Sequence, residues 1–212
     1  MILIGQFDSP FVRRVGVALE IWGVDFDHQP WSVWADADQL AAINPMRRVP
    51  TLVLDDGEVL IESSAILDAL DEMVGPARAM LPGSGPERRR GLKVCALATG
   101  LGDKAVSLFY EGLLHEAPSQ TWIDRCRSQI GDVLTALEAD RARSPSAYWL
   151  GETIGHPDIA AACALRFTRE AHPDLFDPVR WPRLAAHGDQ CEALAAFQAI
   201  CQPLTVNMRD GA

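Results

Sequence analysis

The sequence predicts an α+β N-terminal domain of order β-α-β-α-β-β-α followed by an all-α domain, on three observations. An apolar run, Ile2-Leu3-Ile4, leads into Ser9-Pro10 at the head of an amphipathic stretch. Val49-Pro50-Thr51-Leu52, an Asp56-Gly57 turn and Glu62-Ser63 describe a hairpin running into a helix. Beyond a Pro- and Gly-rich break at residues 75–86, the apolar residues recur only at helical spacing.

The elements follow in chain order. Ser9 stands at an N-cap and Pro10 at the first helical position, where its missing N–H costs nothing. Phe11, Val15, Ala18 and Trp22 form one apolar stripe, flanked by Val12 and Leu19, and Gly23 stops the helix. Residues 26–31 return as a second strand, residues 36–43 form a short helix, and Asn44-Pro45 ends it. A proline directly before a strand is the usual setting for a cis X-Pro bond, which turns Val49 N–H and C=O away from the sheet and toward an extended peptide. The helix that starts at Ser63 points its free N–H groups at the same space, a suitable seat for a carboxylate, with Glu62 beside it for an ammonium group. The implied ligand is a small peptide with a free amino-acid end.

Three segments, residues 9–15 (Ser-Pro-Phe-Val-Arg-Arg-Val), residues 44–52 (Asn-Pro-Met-Arg-Arg-Val-Pro-Thr-Leu) and residues 62–66 (Glu-Ser-Ser-Ala-Ile), stand in the order found in the glutathione transferase family, which the chain resembles over nearly its whole length. The resemblance implies a thioredoxin-like domain at residues 1–76, a linker at 77–86, and an all-helical domain at 87–212 that forms a second-substrate pocket. It implies a glutathione site with Val49, after which Pro50 turns the chain, on the cysteinyl unit, Glu62 and Ser63 on the γ-glutamyl end, and Arg48 near the glycine carboxylate. Arg48 replaces the lysine common before Val-Pro, and its planar fork suits a carboxylate equally well. Ser9 is the expected catalytic residue: in serine-type members a hydroxyl here donates to the glutathione sulfur and favours the thiolate. No Cys stands at or beside position 9, which disfavours a mixed-disulfide mechanism, and no Tyr lies in the first strand and turn. The first motif is similar to plant tau-class enzymes, while the region after Pro76 is closer to bacterial relatives of them.

Composition narrows the partners. A net charge of -10 and a pI near 4.9 exclude a general nucleic-acid or anionic-membrane surface. An anionic ligand must then be drawn by a local patch, and Arg13, Arg14, Arg47 and Arg48 form the available cluster, at least two of them solvated. Arg88-Arg89-Arg90 reads as a solvated helix face. No leader or membrane-spanning run is expected, which points to the cytoplasm. The five cysteines, scattered without metal-ligand spacing, read as reduced structural thiols with no metal site.

In the helical half, long amphipathic stretches occupy residues 87–114 and 120–143, with shorter ones at 157–169, 181–190 and 192–201. Residues 151–158 resemble the capping box of the family's core helix with Gly155 in place of the usual Ser or Thr. Asp158 is therefore expected to reach back to the cap N–H as a structural group, and His156 to be an exposed first-turn residue. Phe11, Leu101, Val106, Phe109 and Tyr110 are candidates to line the pocket for a hydrophobic electrophile. By analogy with other classes, Asp103 is a candidate for a glutathione contact across a homodimer interface. Two functions fit these expectations: a glutathione transferase whose thiolate attacks a hydrophobic electrophile or a peroxide, and a glutathione-binding stress or regulatory protein of the same fold without significant turnover.

Overall fold

The computed structural model describes residues 1–205 and divides the chain into two compact units, Met1–Ala79 joined by the segment from Ala195 onward, and Met80–Leu194. Within the first unit the expected order is present: β1 (Ile2–Ile4), α1 (Pro10–Trp22), β2 (Asp27–Gln29), α2 (Ala37–Ile43), β3 (Thr51–Val53), β4 (Val59–Ile61) and α3 (Ser63–Val74). The sheet runs β2-β1-β3-β4, with β1 parallel to β2 and antiparallel to β3, and β3 antiparallel to β4. Leu3, Val15, Ala18, Leu19, Leu40, Leu52 and Ile66 are wholly buried between sheet and helices. Phe11, the first member of the predicted stripe, is only half-buried.

The second unit holds α4 (Gly85–Leu114), α5 (Gln120–Ala142), α6 (His156–Ala171), a 3-10 turn at Pro173–Leu175, and α7 (Pro182–Glu192). Helix α4 packs on α5 and α6, and α7 on both of those. The central α6 is buried nearly all round, and its run of Ala160, Ala161, Ala162 and Ala164 lets the neighbours approach closely. The last helix, α8 (Ala195–Ala199), leaves this bundle and packs on α1, so the C-terminal end of the expected 87–212 domain belongs with the first unit. Among the described residues no helix is long and apolar enough to cross a membrane.

Two expectations in the bundle are corrected. His156 is 2 % exposed, because the segment around Met80 lies over the start of α6 and Met80 C=O accepts from His156 N–H at 3.4 Å. The same contact accounts for Gly155: a Cβ there would stand 2.8 Å from Met80 O, so a Ser or Thr cap would displace the chain above it. The charge run 88–90 is not a purely solvated face. Arg90 donates to Asp140 Oδ1 at 3.1 Å and to Ser144 Oγ at 2.8 Å, tying α4 to the end of α5, and Arg88 donates to Pro82 C=O. Burial alone would raise Asp140, but the Arg90 hydrogen bond and charge bring it below the usual carboxylate range.

Asp158 has the structural role expected of it. Its carboxylate accepts from Gly155 N and from Trp149 N, both at 2.9 Å, and so holds the loop before α6 to the first turn. His187 Nε2 lies 3.4 Å from the same carboxylate and 3.6 Å from Cys191 Sγ. This Asp-His-Cys group resembles a catalytic arrangement only in residue type. Asp158 and Cys191 are wholly buried, His187 is 2 % exposed, and burial pushes the Cys191 thiol up, away from the reactive thiolate.

Asp158→Ala leaves two buried N–H donors without an acceptor, and stability is expected to fall by about 2–5 kcal/mol in urea denaturation. A loss of activity with an unchanged midpoint would instead assign Asp158 to the chemistry. A second prediction concerns pH. Burial raises the Asp158 carboxyl from 3.8 to about 6 and lowers His187 from 6.5 to about 4. The raised carboxyl adds stability as pH falls through 6, and the lowered imidazole removes stability as pH falls from 6.5 toward 4. The two oppose each other, since each state carries one proton on the pair. Asp158→Asn deletes the compensating partner, so its stability should drop more steeply than the parent's on acidification across that interval, as followed by urea midpoints at successive pH values.

Candidate functional site

Strand register brings the three sequence motifs to one end of the sheet. Ile4 pairs with Thr51 and Thr51 with Ile61, so Gly5 leaves β1, Pro50 enters β3 and Glu62 leaves β4 side by side. Pro50 and Glu62 belong to predicted ligand-facing segments, while Gly5, which the sequence reading did not single out, opens the loop that leads to Ser9.

Gly5 sets how closely they approach. Its φ is +125°, a conformation that L side chains rarely adopt, and a Cβ there would lie 2.5 Å from Val12 Cγ2 and 2.7 Å from Val49 Cβ. The first turn of α1 and the Val49 segment therefore both rest on the Gly5 backbone. Gly5 N–H donates to Gln29 C=O at 2.9 Å, which holds this crossing to β2.

Ser9 caps α1 with extended backbone, and its hydroxyl oxygen accepts from Val12 N–H at 3.4 Å, a long bond. Among the described residues the Ser9 hydroxyl proton has no acceptor, so it is available to a ligand. The preceding loop is held by the C-terminal segment: Phe7 N–H donates to Gln202 Oε1 at 3.1 Å, and Thr205 N–H and Oγ1 donate to Asp8 at 3.0 and 3.2 Å. Burial raises the Asp8 carboxyl above its ordinary value despite those bonds.

The Val49-Pro50 bond is cis. Neither Val49 N–H nor C=O has a partner among the described residues. The segment is shaped from beneath by Asn44, 1 % exposed, whose amide donates to Arg48 C=O at 2.9 Å and Thr51 Oγ1 at 3.1 Å while its oxygen accepts from Met46 N–H. Sequence reasoning read Asn44 only as the end of α2. Its Asx-type bond to Met46, two residues on, was the available local signal.

Glu62 precedes α3 at φ 65° and ψ 118°, a strained conformation for a residue with a side chain, and the site is where such strain is tolerated. No side chain caps α3, which leaves its first N–H groups and the positive end of its dipole open. Arg48 approaches Glu62 at 3.4 Å, but both side chains are about half exposed, so the pair contributes little to stability.

The arginines divide in a way the sequence did not reveal. Arg13 is buried, donating to Ile200 C=O at 2.7 Å and Phe197 C=O at 2.9 Å, with its guanidinium over the Phe197 ring. It secures the C-terminal segment and does not draw a ligand. Arg14, also buried, brings Nη1 to 3.4 Å from Ser63 Oγ and 3.3 Å from Ser64 Oγ, placing a cation directly behind the open end of α3. Only Arg47 and Arg48 of the expected cluster are exposed.

The remaining candidates lie as follows. Leu101 is wholly buried and belongs to the core of the bundle, not to a pocket wall. Phe109 meets Tyr110 and Phe167 edge-on, with ring centroids 5.7 and 6.1 Å away, and is half-buried, as are Tyr110 and Val106. Asp103 pairs with Lys104 at 2.9 Å.

Comparison with known proteins agrees with this geometry. Residues 8–73 match the family described as glutathione S-transferase, N-terminal domain, and residues 120–187 match glutathione S-transferase, C-terminal domain. A maleylacetoacetate isomerase from Pseudomonas aeruginosa is 37 % identical over 209 residues, covering 93 % of this chain and 94 % of the relative. A glutathione transferase family member from Pseudomonas fluorescens, solved with bound glutathione, superposes with a TM-score of 0.83 at 31 % identity over 96 % of this chain and 99 % of that one. A glutathione S-transferase from Methylobacterium radiotolerans, in complex with glutathione sulfonate, gives a TM-score of 0.87 at 27 % identity over 98 % of both chains.

Gly5→Ala should destabilise the protein by about 2–5 kcal/mol, through left-handed strain and the collision with Val12 and Val49. Urea denaturation checks this, and a midpoint equal to the parent's would mean that the two segments do not rest on Gly5.

Proposed function

Because the chain belongs to the glutathione transferase family, we propose that it binds glutathione at the end of its sheet where β1, β3 and β4 meet the helix mouths, and holds the sulfur as a thiolate at Ser9. The observation that carries this reading is the convergence, by strand register, of an available serine hydroxyl, an unpaired Val49 peptide and an open helix N-terminus. The γ-glutamyl carboxylate sits on the first N–H groups of α3 with the Ser63 hydroxyl, and Arg14 behind them adds to the positive potential. Glu62 takes the ammonium group, Val49 pairs with the cysteinyl backbone, and Arg48 faces the glycine carboxylate.

The energetics are adequate. Lowering a thiol pKa from about 8.5 to about 6.5 needs roughly 2.7 kcal/mol. A helix N-terminus contributes typically about 0.3–1 kcal/mol, and a charge-assisted hydrogen bond about 1.5–3. Together they suffice where neither does so comfortably alone. The thiol proton passes to solvent and the Ser9 O–H donates to the sulfur. A sulfur lone pair then forms the S–C bond as the leaving group departs with its bonding electrons; with a hydroperoxide it instead attacks the terminal oxygen, the O–O bond breaks with release of alkoxide, and a second glutathione converts the resulting sulfenic acid to glutathione disulfide and water.

The identity to a maleylacetoacetate isomerase favours a second use of the same thiolate. Reversible addition to a conjugated cis double bond leaves a single bond that can rotate, and elimination returns the thiolate with the alkene isomerised.

Ser9→Ala should fold as the parent does but raise the apparent pKa of bound glutathione by about one to two units, as expected for loss of one charge-assisted hydrogen bond. Ultraviolet titration of the thiolate measures this, and an unchanged curve would remove Ser9 from the mechanism. Turnover of an aromatic halide, a hydroperoxide and maleylacetoacetate separates conjugation, peroxide reduction and isomerisation. Glutathione binding without turnover of any of the three would favour a binding or regulatory protein of this fold.

A further inference from the structure

We propose that His28 is a positioning residue for the thiolate site, acting through the loop that carries Ser9, an inference that rests on the reading of Ser9 given above. His28 lies on β2, paired in register with Leu3, and has no place in any of the three motifs. Its side chain reaches the start of the Ser9 loop at two points. Nε2 is 2.7 Å from Gly5 C=O, and since a carbonyl only accepts, Nε2 carries the proton and donates. The imidazole also stacks on the Phe7 ring, with centroids 3.7 Å apart and planes 9° from parallel. Gly5 and Phe7 alternate with Gln6 and Asp8 in the four residues between β1 and Ser9, so one side chain fixes both the peptide orientation at the loop's origin and the ring just before the cap.

The Gly5 peptide is where such control has most effect. Its N–H is bound to Gln29 C=O on the residue next to His28, and its Cα is wedged against Val12 and Val49. The His28 bond fixes the other end of that residue. A rotation of the Gly5 carbonyl would move the Val12 turn, which donates to Ser9 Oγ, and the Val49 peptide together. Gln202 and Thr205 hold the far side of the loop from the C-terminal segment, so without His28 the near side keeps only the backbone bond from Gly5 N–H to Gln29. His28 touches neither Ser9 nor any atom assigned to the ligand. Its effect is expected on the ionisation and reactivity of the sulfur, with little effect on capture of the peptide.

Two substitutions separate the contacts. His28→Phe keeps a ring against Phe7 and loses the donor, while His28→Gln places an amide N–H near the Nε2 position and loses the stack. For His28→Phe we expect bound glutathione to ionise about one pH unit higher, kcat to fall on the order of tenfold, and KM for glutathione to stay within about twofold, as for a small misplacement of a catalytic group. His28→Gln should recover most of the thiolate titration. Thermal melting of each variant is measured alongside. Unchanged ionisation and kcat in a folded His28→Phe would overturn the inference and leave the Ser9 reading standing. Equal losses in both variants in step with their melting temperatures would overturn it as well, by making His28 a structural residue only. A parent protein with no glutathione thiolate would overturn the reading of Ser9 first and this inference with it.

Discussion

The absence of a side chain at residue 5 is the constraint on which the rest of the site depends. With no Cβ, the chain leaving β1 lies against Val12 on one side and Val49 on the other, at distances no other residue would permit. That contact makes the mouth of α1 and the turned Val49-Pro50 segment neighbours, and the pairing of Thr51 with Ile61 adds the mouth of α3. The two helix termini and the outward peptide are thus assembled by backbone and register. Side chains then tune the result: Asn44 under the Val49 segment, Arg14 behind α3, and the C-terminal residues on the Ser9 loop. A site assembled in this way suits a peptide ligand, because most of what it offers is N–H groups in fixed directions.

Legibility from sequence followed the range of the interactions. The Ser9-Pro10 cap, the turn at Asp56-Gly57, the proline before β3 and the start of α3 were read correctly because their causes lie within a few residues. Asp158 was read correctly for the same reason, since its partner at Gly155 is three positions away. The failures were long-range. Arg13 and Arg14 looked like members of a surface cluster, yet Arg13 is consumed by carbonyls more than 180 positions later and Arg14 by hydroxyls about 50 positions later. His156 was expected to be exposed because nothing near it in sequence announces that Met80 lies above it. His28 carried no signal at all: in a short edge strand, only the fold reveals that its ring meets Phe7.

The helical unit contrasts with the first in where it keeps its polar groups. Asp158, His187 and Cys191 are as enclosed as its leucines, and burial drives each toward its neutral form, opposed at Asp158 by two backbone donors. Such a group fixes the loop before α6 and has no access to a substrate. At the end of the sheet the balance is reversed: Glu62 and Arg48 stay half in water, Ser9 is only half-buried, and Glu62 accepts backbone strain to stand at the ligand. Burial marks the structural groups of this protein, whereas half-exposed groups with open bonding capacity mark the proposed site.

A crystal structure with glutathione tests the central claim most directly, because the assembly specifies where each part of the tripeptide must lie. The account predicts the sulfur within hydrogen-bond distance of Ser9 Oγ, the cysteinyl backbone paired with Val49, and the γ-glutamyl carboxylate on the first turn of α3. Glutathione bound at another place, or with its sulfur turned away from Ser9, would contradict it.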